Sequence, residues 1–202
     1  MDLRFVSRLP LGLACLLGVS ATGPQQSMVQ VFDQRGLPVE GAVIEVPPPS
    51  GSTRAVAFPW RYAMAQRNQT FVPGTLIVPQ GASVAFPNLD IVRHSIYSFS
   101  KPARFQIDLY GRDQTRSQRF PITGTVALGC NIHDKMRGYI RVVATPYAAA
   151  TDLNGRGQID GLAPGTYRIT VWHPRLRSSA NEAVQTLTIA PGTPARVTIE
   201  LR

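Results

Sequence analysis

The chain has 202 residues and a formal net charge of +9, from 21 basic and 12 acidic residues. This length suffices for one or two small domains with buried cores. The 17 prolines and 17 glycines argue against a helical fold and indicate an all-β protein built of short strands and turns.

The first 21 residues have the features of a secretory signal peptide. Two arginines precede an apolar run from Leu9 to Val19, and small residues follow up to Ala21. The run is too short for a confident membrane span, and no other segment of the sequence offers one. We expect cleavage after Ala21 and a periplasmic mature protein, with retention of the segment as an anchor as the alternative. Lipidation at Cys15 is disfavoured because the leucine of GLAC is misplaced for lipoprotein cleavage.

Alternating runs of apolar and polar residues predict the strands. Residues 28–46 form two such runs around the polar turn DQRG, which predicts a β-hairpin. A segment rich in proline and glycine follows. Between residues 75 and 144 the strand-like runs are TLIV, ASVAF, HSIYSF, FQIDL, TVALGC and GYIRVVA. Short strands at this spacing indicate a sandwich or a Greek-key barrel.

The character of the chain changes after Pro146. Two turns lead into the alternating strand TYRITVW, and residues 183–202 predict a closing hairpin. The stretches VFDQRGLPVEGAVIEV and TDLNGRGQIDGLAPGTYRITV resemble the two halves of a carboxypeptidase regulatory-like (transthyretin-like) β-sandwich. The resemblance implies that residues 22–50 plus 145–202 form this smaller sandwich and that residues 51–144 form a second domain inserted into it.

Most of the basic excess lies in residues 51–144. This segment has ten arginines and two lysines against four aspartates, whereas the flanking parts are close to balanced. An excess of arginines is typical of proteins that bind nucleic acids, but an exported protein does not meet the usual nucleic-acid targets. We therefore expect no nucleic-acid partner. An acidic redox partner protein or simple solvation of the surface explains the charge better.

The stretch GCNIHDKMRGYI contains the candidate metal ligands. Once the signal peptide is removed, Cys130 is the only cysteine, so no disulfide can form within the chain. Cys130, His133 and Met136 follow the spacing C-x2-H-x2-M at the end of one strand and in the loop after it. A thiolate, imidazoles and a thioether are the ligands of mononuclear electron-transfer copper. His94 starts a neighbouring strand after a polar turn and fits as the second imidazole.

This pattern resembles the cupredoxins, the blue copper proteins, and the ligand spacing is that of amicyanin. The wider sequence around it resembles periplasmic cupredoxin-containing proteins labelled methylamine utilization proteins. The resemblance implies a Greek-key sandwich that binds one type 1 copper ion. It implies the ligands His94, Cys130, His133 and Met136, and a hydrogen bond from Asn88 near the Cys130 backbone. Relatives often have histidines where this chain has Gly74 and Ser95, which weakens any case for a second metal site.

Other interpretations of these residues remain. A structural zinc site is disfavoured because methionine is a poor zinc ligand. A buried thiol with chance neighbours is the simplest alternative. We interpret His173, which lies outside residues 51–144, as a structural histidine, with a role in domain docking as the alternative.

The leading functional hypothesis is a one-electron carrier that cycles between Cu(II) and Cu(I), with His133 as the electron port. The alternatives are a copper-trafficking or copper-sensing protein and a structural or interaction module. We expect no enzyme activity, because multicopper oxidases and nitrite reductases need histidines beyond the three in this chain. No catalytic triad is evident either.

Overall fold

The computed structural model describes residues 26–202, so the predicted signal peptide lies outside the described residues. This part of the chain consists of sixteen β-strands joined by turns and loops. The all-β class predicted from the sequence is confirmed. Within the described residues, no helix is long and apolar enough to cross a membrane.

The two end regions of the chain form a pair of sheets. In the first sheet, β1 (Gln26–Asp33) lies between β13 (Arg156–Asp160) and β16 (Ala195–Ile199). In the second, the order is β12 (Ala148–Ala150), β2 (Val43–Glu45), β14 (Gly165–Trp172) and β15 (Glu182–Ile189). A buried apolar cluster draws on both sheets and includes Val29, Val31, Ile44, Ile159, Ile169, Val171 and Val197.

The middle of the chain forms three further sheets. The largest has the order β5 (Thr75–Pro79), β11 (Arg137–Val143), β10 (Gly124–Gly129), β7 (His94–Ser100) and β8 (Ala103–Tyr110). Two small sheets pair β3 (Ala65–Arg67) with β4 (Thr70–Val72) and β6 (Ser83–Pro87) with β9 (Thr115–Arg119). A second buried cluster includes Met64, Phe71, Val84, Phe86, Ile96, Tyr110, Leu128, Cys130 and Met136.

The predicted hairpin over residues 28–46 is wrong. Strand β1 pairs with β13 and β16, while β2 pairs with β12 and β14 in the other sheet. After Asp33 the chain folds back only briefly, with a single bridge between Phe32 and Pro38, and then crosses to the opposite sheet. Alternation in a sequence determines which face of a strand is buried, but it does not determine the partner strand.

The predicted closing hairpin is wrong for the same reason. Strand β15 pairs antiparallel with β14, whereas β16 pairs parallel with β1. Apolar side chains of both strands enter the same core from opposite sheets. The predicted domain boundaries stay a prediction. The two large clusters nevertheless take their members from different stretches of the chain, residues 29–46 with 147–199 and residues 64–142.

A small apolar cluster and one buried cation join the two regions. Val43, Ile77, Val143, Ala148 and Trp172 pack together, and the ring of Tyr139 meets that of Trp172 edge-on. Beside them, Arg141 of β11 forms ion pairs with Glu45 of β2 and Glu182 of β15.

Three side chains accept hydrogen bonds from the Arg141 guanidinium. Its Nε donates to Glu45, and its Nη1 donates to Glu182 at 2.7 Å and to Thr125 at 2.8 Å. Burial raises the pKa of Glu45, and the charge of Arg141 opposes that rise. The guanidinium therefore keeps a buried carboxylate compensated where the two regions meet.

Replacing Arg141 by methionine should destabilise the protein at pH 7 by about 3 kcal/mol, because it leaves the largely buried carboxylate of Glu45 without its cation. Urea denaturation measures the change, and the exposed Arg104→Met is the matched control. Without the cation, the folded-state pKa of Glu45 lies further above its unfolded value. The loss of folding stability is therefore complete at pH values well above the folded-state pKa of Glu45. It becomes smaller as the pH falls towards the unfolded-state pKa. Adding Glu45→Gln and Glu182→Gln should recover part of the loss. A variant as stable as the parent at pH 7 would contradict this role.

Candidate metal centre

Three of the four predicted ligands converge at one end of the five-stranded sheet. His94 is the first residue of β7, Cys130 directly follows β10, and His133 lies in the loop between β10 and β11. One ligand atom from each of these residues lies within 4.8 Å of those from the other two. Antiparallel pairing of β7 with β10, in which Tyr97 is opposite Gly129, brings His94 and Cys130 to the same end.

The distances between the three donor atoms are short enough for them to bind one metal ion. Cys130 Sγ lies 3.7 Å from Nδ1 of His94 and 3.8 Å from Nδ1 of His133. Metal bonds of about 2.0 Å to nitrogen and about 2.3 Å to sulfur, as in zinc sites, would put sulfur about 3.7 Å from nitrogen at trigonal angles and about 3.5 Å at tetrahedral ones. The three donor atoms are therefore close enough together to bind one metal ion, and a thiolate with two imidazoles is the donor set of electron-transfer copper sites.

The fourth predicted ligand, Met136, is buried in the same core cluster as Cys130. It is 1% exposed, and Cys130 is 3% exposed. The backbone N–H of Met136 donates to the carbonyl of His133 at 2.8 Å, which closes the ligand loop into a tight turn. The side chain of Met136 is therefore buried in the same apolar cluster as the thiol of Cys130. The role of the four residues as ligands stays a prediction.

Asp90 fixes the orientation of His94, and the sequence analysis missed this role. Nε2 of the fully buried His94 lies 2.7 Å from Oδ2 of Asp90. A carboxylate accepts the proton of Nε2, so Nδ1 keeps a free lone pair directed towards Cys130 Sγ. A carboxylate behind a histidine ligand is a common second interaction at metal sites. The spacing of four residues between Asp90 and His94 was the signal available in the sequence.

The carboxylate of Asp90 is itself held by the β3–β4 turn. The backbone N–H groups of Asn68 and Gln69 donate to it, and both residues have a left-handed backbone, with φ of 51° and 57°. Burial disfavours the charge of Asp90, but hydrogen bonds from Gln69, His94 and Asn68 outweigh it and hold its pKa below the usual value. Asp90 is therefore ionised at neutral pH and can orient the imidazole.

The expected role of Asn88 is wrong in its detail. Its Nδ2 donates to the carbonyls of Val92 and Tyr110, and its Oδ1 accepts from the N–H of Asp90. It therefore holds the loop that leads to His94 and makes no hydrogen bond to the Cys130 backbone.

Ser95 makes the contact with the cysteine loop instead. Its Oγ accepts from the N–H of Asn131 at 3.1 Å and lies 3.9 Å from Cys130 Sγ. A residue that the sequence analysis took only as a missing histidine thus ties β7 to the ligand loop.

His173, the remaining histidine, forms its hydrogen bonds with a different part of the chain. Its Nδ1 accepts from the N–H of Arg175, and its backbone N–H donates to the carbonyl of Asn181. Burial, with the charge of Arg175, lowers its pKa. These contacts agree with the structural interpretation of His173.

No protein-family model matches this sequence, and no curated protein sequence matches it. Among solved structures, a purple cupredoxin from Nitrosopumilus maritimus is similar at 20% identity and a TM-score of 0.37, over 40% of this chain and 98% of its own length. A reduced point mutant of amicyanin is 21% identical, with a TM-score of 0.39, over 50% of this chain and 98% of its own. A copper-containing nitrite reductase from Thermus scotoductus SA-01 is 22% identical with a TM-score of 0.39, over 56% of this chain but only 28% of its own. At these values the case for a function depends on the site geometry.

Replacing Asp90 by asparagine should weaken copper binding by about 10- to 100-fold, because the imidazole loses the charge that fixes its tautomer. Competition with a copper chelator of known affinity measures the change. Asp108→Asn, which removes an exposed carboxylate from β8, is the matched control and should bind copper like the parent. Equal copper affinity in the two variants would show that Asp90 does not support the site.

Proposed function

We propose that this chain is a periplasmic type 1 copper protein that transfers single electrons. The observation that carries the proposal is the position of Cys130 Sγ, 3.7 and 3.8 Å from the Nδ1 atoms of two histidines and inside the apolar core. His94, Cys130 and His133 would hold the ion in the plane, with Met136 as the weak fourth ligand. Bound copper would supply the Cu(II)/Cu(I) couple.

The surroundings of the ligands favour electron transfer over chemistry on a substrate. His94 is fully buried and fixed by Asp90, Cys130 is buried, and the loop between Cys130 and Met136 is closed by hydrogen bonds. Ligands that are held in place before the metal binds need little rearrangement when its charge changes. The buried ligands also leave little room for a substrate on the ion, so we propose a carrier and no enzyme activity.

His133 is the proposed electron port. It is the only one of the four proposed ligands that is partly exposed among the described residues. Its neighbour in the chain, Ile132, is 50% exposed, and Ile91, in the loop before His94, is 86% exposed. An apolar surface around a partly exposed ligand permits close approach of a redox partner, because little water must be displaced from polar groups. The partner itself is a proposal: a redox protein with an acidic docking surface, chosen because exposed Arg93, Lys135 and Arg137 outnumber Asp134 near the site.

A copper-trafficking protein is the second candidate, since a thiolate and a thioether favour Cu(I). The two candidates differ in reversibility. An electron carrier keeps one copper ion per chain through repeated reduction and oxidation, whereas a trafficking protein holds Cu(I) and releases it to an acceptor.

Metal analysis combined with a redox titration tests the proposal. We expect one copper per chain, retained through reversible one-electron cycles, and loss of both properties in Cys130→Ser. Ser98→Ala, at another buried position of β7, is the control for folding. Equal copper content in Cys130→Ser and the parent would rule out the proposed site. Copper uptake without reversible reduction would favour the trafficking protein.

The basic surface gives a second test that needs no knowledge of the natural partner. The reduced protein should react faster with the anion hexacyanoferrate(III) than with a cationic cobalt(III) polypyridyl complex, after correction for driving force, because like charges repel. This preference should shrink as ionic strength rises, since the screening length falls from about 10 Å at 0.1 M to about 3 Å at 1 M.

Arg93→Gln with Lys135→Gln should reduce this preference, whereas Arg168→Gln on β14, in the other part of the chain, should not. Stopped-flow rates measure both. If the rate preference for the anionic oxidant changed neither with salt nor with the Arg93 and Lys135 substitutions, electrostatic steering at this surface would be contradicted.

A further inference from the structure

A cavity of about 450 Å³ lies between the two parts of the chain, and none of the four proposed copper ligands lines it. The segment before β3 contributes Trp60 and Arg61, and β5 contributes Leu76 and Ile77. Strands β12 and β13 of the other part complete the wall. Small-molecule sites are common where two parts of a chain meet, and this volume falls in the range that such sites occupy.

The indole of Trp60 forms a fixed aromatic wall of this cavity. Its Nε1 donates to the carbonyl of Ile77 at 2.8 Å, so the polar group of the ring is already used. The ring of Phe58 stacks on it, with ring centroids 4.6 Å apart and 9° between the planes. Phe58 does not line the cavity, so the indole meets the cavity with its other face or its edge. Trp60 is still 37% exposed, and an aromatic ring that packed there would cover apolar surface without breaking a hydrogen bond.

The rest of the wall is mostly apolar. Aliphatic side chains and a proline ring form it, from Pro73, Leu76, Ile77, Ala149 and Ala150. A polar side chain in the lining, Gln158, already donates its Nε2 to Asp160 at 3.2 Å. A ligand that fills the cavity therefore needs a largely apolar body, because a polar group buried without a hydrogen-bond partner costs free energy.

Two arginines, Arg61 and Arg156, also line the cavity. Both are exposed, and neither guanidinium forms an ion pair with any of residues 26–202. Asp152, which contacts Arg156, accepts a hydrogen bond from its backbone N–H and not from its guanidinium. The planar fork of a guanidinium matches the two oxygens of a carboxylate. The charge at the cavity therefore favours an anionic group on the apolar body.

We propose that this cavity binds an aromatic carboxylate. The planar ring of the ligand packs against the indole of Trp60, and its carboxylate accepts hydrogen bonds from Arg61 and Arg156. The ligand contacts both parts of the chain, so binding also stabilises the folded protein. The site uses none of the four copper ligands and is therefore independent of the proposed electron transfer.

The alternative is that the cavity is only a gap between the two parts of the chain and that the two arginines only interact with water. A gap of this kind would take up apolar molecules without regard to their charge. A binding site for an aromatic carboxylate requires both the aromatic ring and the negative charge. Ligands that have only one of these two features therefore distinguish the two roles.

Titration of the mature protein with 2-naphthoate tests the proposal. Isothermal titration calorimetry should show saturable binding of one 2-naphthoate per chain. The neutral 2-naphthamide keeps the rings without the charge, and cyclohexanecarboxylate keeps the charge without an aromatic ring. Both should bind many-fold more weakly than 2-naphthoate.

Substitutions of the two arginines test the position of the carboxylate. Arg61→Gln and Arg156→Gln should each weaken the binding of 2-naphthoate several-fold and leave that of 2-naphthamide unchanged. Arg168→Gln, which removes an exposed arginine of β14 outside the cavity, is the matched control and should bind 2-naphthoate like the parent. All three arginines are exposed, so these variants should unfold at the same temperature as the parent without ligand.

The indole N–H signals in NMR spectra test the position of the ring. The signal of Trp60 is identified by its absence in Trp60→Phe. It should shift as 2-naphthoate is added, because the ring current of the ligand acts on the indole. The signal of Trp172, which is 1% exposed and does not line the cavity, should shift much less.

Selective binding of 2-naphthoate that is weakened by both cavity substitutions and retained in Arg168→Gln supports the site. No saturable binding to the parent, equal affinity for 2-naphthamide, or unchanged affinity in Arg61→Gln and Arg156→Gln would overturn it. Tighter binding of 2-naphthyl phosphate than of 2-naphthoate would overturn the choice of a carboxylate. None of these measurements depends on bound copper, so a failure here leaves the proposed function as it stands.

Discussion

The hydrogen bond between Asp90 and Nε2 of His94 is the interaction on which the centre depends. It is 2.7 Å long and buried, and it leaves Nδ1 of His94 as the free nitrogen that faces Cys130. A 180° flip of the ring would place a carbon, in place of Nδ1, on the side of the sulfur, and His94 would then offer no nitrogen to a metal ion shared with Cys130. The bond therefore favours the ring orientation and the tautomer in which the cluster can bind a metal ion.

The fold supplies this bond by bringing distant segments together. The β3–β4 turn donates two N–H groups to Asp90, Asn88 fixes the loop between Asp90 and His94, and Ser95 ties β7 to the loop after Cys130. Two of the ligand positions are at strand ends inside a packed sheet. Little of the arrangement would have to be created when a metal binds, and the proposed one-electron site needs such preorganisation.

The ligand end of β11 is also connected to the other part of the chain. Strand β11 begins directly after Met136, and its Arg141 pairs with Glu45 and Glu182, while Tyr139 packs on Trp172. The second region thus braces the strand that follows the ligand loop. This gives the smaller pair of sheets a mechanical role without requiring a ligand of its own.

The sequence located the longer strands and the cluster of His94, Cys130 and His133, but not the short strands, the strand partners or the supporting hydrogen bonds. Period-two alternation located β5, β6, β7, β8, β10, β11 and β14, because burial of one face of a strand produces alternating apolar and polar residues in the sequence. It failed for the partners of β2 and β16, since a pairing partner is decided by the whole sandwich. The spacing of Cys130, His133 and Met136 predicted a cluster because short loops limit where side chains reach. Asp90 was missed because its importance arises only when β3, β4 and β7 come together, and Ser95 was missed because its partner is 36 residues away.

The visible and EPR spectrum of the mature protein loaded with one equivalent of Cu(II) tests the central claim most directly. A trigonal site with Cys130 as ligand predicts strong visible absorption from thiolate-to-copper charge transfer and the small copper hyperfine splitting of a covalent Cu–thiolate bond. Both features should be absent in Cys130→Ser. A pale protein with the large hyperfine splitting of a square-planar nitrogen and oxygen site would contradict the account.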